Sequence, residues 1–212
     1  MGPVVLAVAL AAYDTEEDRP MFRTATLVLC TLALALNAAY TSASTTPGSD
    51  TFKVDYFSNA NTSSAPDATM RLTNPGTSGN ICAAIYVFDP NQEISECCSC
   101  LLSPDGLRTL SVNTDLTGAP LTGVMLTTGS IEIVSTPPLA NGVCPALPTS
   151  LSPRPAIRAW ATHIQNGTFA ITETPSQYAT LSSAEERRIE GECYAIQLDS
   201  RRGGQCTCGT GD

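Results

Sequence analysis

The chain has little of what most catalytic and nucleic-acid-binding proteins use. Its 212 residues include one histidine (His163), one tryptophan (Trp160) and one lysine (Lys53). Eleven basic residues against twenty acidic ones give a net charge of −9. With no basic stripe, that balance argues against nucleic acid or an anionic membrane surface as partner. Because histidine occurs once, any Ser-His-Asp or Cys-His site must use His163, and no GxSxG turn is present to hold a nucleophile. No CxxC falls in a βαβ context, which sets aside a thioredoxin-type redox role.

What the sequence does have begins with a leader-like segment. Met21-Phe22-Arg23-Thr24 is a short basic start, and Ala25 to Leu36 is an apolar run of twelve. Small residues follow, with Thr41-Ser42-Ala43 suited to cleavage after Ala43. That order is the one found in a secretory signal, and the run is short of the roughly 20 residues a membrane span needs. The expected signal is therefore 21–43, with 1–20 an over-extended start, because Asp14, Glu16, Glu17 and Asp18 place acid where a signal wants base. Cys30 lies inside the apolar run behind Leu29, which does not fit a lipoprotein anchor.

Downstream, 44–67 reads as a flexible lead-in and loop, rich in Ser, Thr, Pro and Asn. From Ala68, β-type runs alternate with turn signals every eight to twelve residues or so, as in a sandwich or barrel. The runs are Thr69–Leu72, Ile81–Phe88, Glu93–Leu102, Leu107–Val112, Leu121–Thr127 and Ile131–Ser135. Pro137 to Pro155 is proline-rich and cannot be a central strand, so it is expected as an irregular crossover pinned by Cys144. Asn166-Gly167 signals a two-residue hairpin turn. It sets Ile164 opposite Phe169 and places Trp160, Ile164, Phe169 and Ile171 on the core face. His163 then falls on the opposite, small-residue face as a surface side chain. A helix is expected over Ser183–Ile196, with Ser182 or Ser183 and the following glutamates at capping-box spacing. Ile189, Cys193 and Ile196 form its buried stripe; Glu185, Glu186, Glu190 and Glu192 form its solvated face.

Beyond the leader lie eight cysteines: Cys82, Cys97, Cys98, Cys100, Cys144, Cys193, Cys206 and Cys208. In an exported chain an even set reads as a disulfide framework with up to four bridges. A turn at Asp89–Gln92 would set Cys82 opposite Ser99, making Cys98 or Cys100 its natural partner. Cys97 and Cys98, adjacent in a strand, face opposite sides and need different partners. A bridge from Cys193 to Cys206 or Cys208 would order the Gly-rich tail. The alternative is a zinc site built from the CCxC and CxC clusters, but the spacing lacks the two CxxC pairs of the usual knuckle. Asp89 to Glu93 lacks the alternating calcium-loop pattern and reads as a turn. Asn61-Thr62-Ser63 and Asn166-Gly167-Thr168 match the glycosylation sequon.

Several stretches together, NICAAIYVFDPNQEISECCSCLLSPDGLRTLSV, IRAWATHIQ, FAITET and CTCGTGD, give the chain a resemblance. It resembles a group of exported hypothetical proteins encoded in acidobacterial genomes, over about Ala68 to Asp212. The group has no assigned activity, so the resemblance implies export and lends no residue a catalytic role.

The expected fold is mainly β: a disulfide-braced sandwich, immunoglobulin-like or related, with one C-terminal helix and a single domain over 68–212. The expected function is a secreted, periplasmic or cell-surface structural or interaction domain. The alternatives are an extracellular hydrolase or a cysteine-based metal-binding or redox protein. No catalytic, cofactor or metal residue is assigned. The partner classes left are another extracellular protein or a polysaccharide, with no membrane span once the signal is removed.

Overall fold

A computed structural model describes residues 50–199 and 203–209. The 1–20 stretch, the expected 21–43 signal with Cys30, and residues 44–49 of the expected lead-in lie outside the described residues. Nine strands form two antiparallel sheets: β1 Phe52–Ser58, β2 Thr69–Thr73, β3 Ile81–Phe88, β4 Ile94–Leu102, β5 Leu107–Ser111, β6 Thr128–Thr136, β7 Arg158–Ile164, β8 Ile171–Pro175 and β9 Gln177–Tyr178. One sheet runs β4-β3-β6-β1-β9 and the other β5-β2-β7-β8. A π-helical turn, Val112–Leu116, follows β5, and α1, Ser183–Leu198, closes the described fold before the tail.

Strand alternation explains the layers. In β3 the odd positions Ile81, Ala83, Ile85 and Val87 enter the core between the sheets, against Met70, Leu72 and Ala159. The even positions Ala84, Tyr86 and Phe88 face the other way, into a second cluster with Ile189, Cys193 and Ile196 of α1 and Leu151 of the crossover. Every residue of β3 is buried. A strand covered on both faces reads as a continuous apolar run, which is why ICAAIYVF stands out. Full burial of each Ile or Val contributes about 1.5–3 kcal/mol. The α1 N-cap is Ser182, whose hydroxyl accepts from Glu185 N, and its inward stripe is Ile189, Cys193 and Ile196.

Four disulfides lock these layers together. They are Cys82–Cys144, Cys97–Cys193, Cys98–Cys206 and Cys100–Cys208. Cys97 and Cys98 do bond different partners on different faces. Two expected pairings are corrected, however. Cys82 bonds neither Cys98 nor Cys100: it lies opposite Leu101, and strand alternation puts both of those sulfurs on the other face of β4 whether its neighbour is Leu101 or Ser99. The pairing differs from the expected one by two residues, one from the wider Asp89–Glu93 turn and one from the irregularity between Val87 and Phe88, and Cys82 points to the face away from Cys98 and Cys100. Its partner is Cys144, which does pin the proline-rich crossover. Likewise α1 is bridged to β4 through Cys193, and both tail cysteines are bridged to β4.

Three further corrections concern strands. β1 runs through the segment expected as lead-in and loop, and lies between β6 and β9. Its alternation is masked by Lys53 and Asp55, both buried. Residues 121–127 form loop and not strand. The β7–β8 connection is longer than the two-residue turn: Gln165 N donates to Ala170 O, Phe169 N to Gln165 O, and Ile164 pairs with Ile171. Positive φ falls at Gly167 and Phe169 and not at Asn166, so the turn type that demands it at both central residues does not form.

Candidate functional site

β1 and β7 belong to different sheets yet pack together near the β8–β9 end of the sandwich. A cleft of about 630 Å³ opens there. Asp55 and His163 are its buried residues, Val54, Tyr56 and Pro175 add apolar surface, and Gln165, Thr172, Thr174 and Gln177 bring polar groups. His163 is thus 4% exposed, not the surface side chain its strand position suggested. The hairpin face expected to meet solvent is covered by β1.

The geometry around the imidazole is specific. Nε2 lies 2.9 Å from Thr174 Oγ1 and 3.5 Å from Asp55 Oδ1. The Tyr56 ring stacks on His163 with centroids 4.3 Å apart and planes 23° apart. Asp55 Oδ1 also accepts from Tyr56 N at 2.9 Å. Asp55 Oδ2 and His163 Nδ1 are buried without a hydrogen-bond partner. A hydroxyl–imidazole–carboxylate relay needs the carboxylate on one ring nitrogen and the hydroxyl on the other. Here both face Nε2. The cleft gathers the three residue types of a hydrolase but not their arrangement.

Two carboxylates elsewhere are strongly perturbed. Glu96 is fully buried on the core side of β4, its Oε1 accepting from Ala119 N at 2.9 Å, and burial pushes it up to about 8. Glu132 on β6 is pushed up to about 7, first by burial and then by the charge of Glu185. Its neighbours form a cluster beneath α1. Arg188 is held by Glu185 and Glu192, reaches Glu132 at 3.9 Å, and lies over the Phe88 ring at 4.7 Å. The pairing with Glu185 draws that carboxyl down and the guanidinium up. Glu190 accepts from Leu151 N at 2.5 Å. The helix glutamates are therefore structural contacts and not merely a solvated face. Glu96 sits opposite Val87 and Glu132 opposite Tyr86, so they face opposite sides of one sheet and cannot act as a general acid–base pair.

The remaining sequence features find structural places. The bridges take up all eight sulfurs of Cys82, Cys97, Cys98, Cys100, Cys144, Cys193, Cys206 and Cys208, including those a zinc site would have drawn on. Among the described residues no group of three or more His, Cys, Asp or Glu is placed to hold a metal, and no helix is long and apolar enough to cross a membrane. The Asn61 amide is engaged, donating to Thr117 Oγ1 at 3.0 Å and Leu126 O at 2.9 Å, whereas Asn166 is exposed. Sequence reasoning missed Asp55 and Tyr56 altogether; their signal was the β1 alternation that the charged residues obscured. Compared with protein-family models, curated proteins and solved structures, the chain matches none.

Proposed function

We propose that the protein is an exported β domain, secreted or held at the cell surface, that acts by binding and not by catalysis. One observation carries the reading: three of the four disulfides converge on β4, joining the helix and the tail to one strand. Such a framework belongs to oxidising compartments. The leader-like segment ahead of it, and the resemblance to exported acidobacterial proteins, point the same way. The hydrolase alternative would need a different arrangement around His163, whose Nδ1 meets no carboxylate.

Non-reducing peptide mapping of protein recovered from the culture medium tests the proposal. The expected result is a mature N-terminus within two residues of Ser44 and the four bridges above, with no free thiol. Intact leader and free thiols in cell-retained protein would overturn it.

A further inference from the structure

We infer that the Tyr56–His163 cleft is a binding site for a neutral carbohydrate chain; the inference rests on the reading of an exported binding domain. The volume, about 630 Å³, lies within the range of small-ligand sites. Tyr56 is 54% exposed, because β9 pairs only with Lys53 and Val54 and leaves the β1 edge open beside it. One ring face is held against His163, so its orientation is set before any ligand arrives, which lowers the ordering cost of binding. An aromatic ring presented in this way offers a flat apolar surface with a polar tip. That matches the two-sided character of a pyranose, whose axial C–H groups make an apolar face and whose hydroxyls ring its edge.

The polar groups fit the same ligand. Gln165 and Gln177 carry amides that both donate and accept, Thr172 carries a hydroxyl, and Asp55 is an acceptor. A sugar hydroxyl likewise both donates and accepts. Buried polar atoms are normally paired, and exceptions call for an explanation. Asp55 Oδ2 and His163 Nδ1 are such exceptions, on side chains 5% and 4% exposed that both line the cleft. Neither atom is itself open to the cleft, so the groups that meet a sugar hydroxyl directly are those of Gln165, Gln177 and Thr172.

Charge decides between ligand classes. No lysine or arginine lines the cleft, and Asp55 is its only carboxylate. A phosphate, a uronic acid or a nucleic acid would meet repulsion with no compensating cation. A quaternary ammonium would find one aromatic ring where recognition of such ions uses a cage. Neutral sugars remain.

Affinity electrophoresis of the full chain tests this, with gels containing soluble mixed-linkage glucan, galactomannan, arabinoxylan or galactan, and carboxymethylcellulose as the anionic counterpart. At least one neutral polymer should retard the protein. Tyr56→Ala should weaken that retardation tenfold or more, while Tyr56→Phe stays within threefold; matching thermal midpoints show that the variants are folded. Retardation by no neutral polymer, equal retardation of Tyr56→Ala, or retardation by carboxymethylcellulose alone would each overturn the inference. Binding of tetramethylammonium in its place, seen by tyrosine fluorescence, would do the same. Export and bridging are measured separately, so an exported, fully bridged protein that binds no neutral polymer removes the carbohydrate site alone.

Discussion

Cys97 and Cys98 are neighbours in β4, yet they anchor opposite layers of the molecule. Cys97 bonds Cys193 of α1 on the outer face of the five-stranded sheet, while Cys98 bonds Cys206 of the tail on the core side. The period of two along a strand makes this split unavoidable. β4 is an edge strand, and along part of its free edge the tail adds backbone bonds, Cys97 N to Gly204 O and Cys206 N to Cys97 O. The bridges therefore also hold a cover over a sheet edge that would otherwise invite pairing with another chain.

The two tail bridges should behave as partners and not as independent staples. Cys98–Cys206 and Cys100–Cys208 each span 108 residues, but once either is closed the other closes only a small ring. With Cys97–Cys193 still closed, the first tail bridge closes only the short ring through Cys193 and the tail, so loop-closure entropy gives about 2 kcal/mol for removing either bridge alone and about 5 kcal/mol for removing both. Guanidinium unfolding of the Cys→Ser pairs, singly and combined, measures this. Two single losses that simply add up to the double loss would contradict it.

Glu96 should make stability fall as pH rises. Its folded pKa, about 8, lies above the ordinary 4.5 because of burial. Between those values the folded protein holds a proton that the unfolded chain has released. The contribution is thus fully present below about pH 4.5 and is lost progressively toward pH 8, by up to about 1.4 kcal/mol per pH unit. Glu96→Gln keeps an acceptor for Ala119 N and removes the titration. Urea midpoints from pH 5 to 9 should show a shallower decline for the variant; parallel curves would assign the slope to other groups.

Gly129 should tolerate no side chain. A Cβ there would lie 2.1 Å from Phe88 O and 2.7 Å from the Phe57 ring, and a backbone carbonyl in a paired strand cannot move aside. Gly129→Ala is expected to cost about 2–4 kcal/mol. A thermal shift of less than a degree or two would show that β6 can shift to make room.

Much of the fold was legible because its signals are local. Ile81–Phe88 announces a strand buried on both faces, Ser182 caps α1, and Cys144 marks a crossover that prolines keep out of the sheets. What was not legible depends on distant partners. Lys53 and Asp55 look like surface charges until Asp50 and His163 are placed beside them, at 3.2 and 3.5 Å. Cys82 finds its partner 62 residues away in Cys144, because Cys98 and Cys100 take the opposite face of the sheet. His163 was assigned to the wrong environment for a related reason: a hairpin shows which residues share a face, but not which strand of the other sheet covers it.

Arg188 should matter more at alkaline pH than at acid pH. It is the cation among Glu132, Glu185 and Glu192, and its charge counters the burial and repulsion that hold Glu132 near 7. At pH 5.5 Glu132 is mostly protonated. Arg188→Met then gives up the two helix pairs and the cation over Phe88, contacts that are partly exposed and worth about 1 kcal/mol together. At pH 8.5 Glu132 is ionised beside Glu185 with its counter-charge gone. Its raised folded pKa means stability is lost as pH climbs through about 7, and without Arg188 that loss deepens. The penalty should therefore grow by about 1 kcal/mol or more between the two pH values. Adding Glu132→Gln to Arg188→Met should abolish the growth, because no titrating carboxyl is then left under the helix. If denaturant unfolding shows the same Arg188→Met penalty at both pH values, the guanidinium serves Phe88 and the helix surface alone.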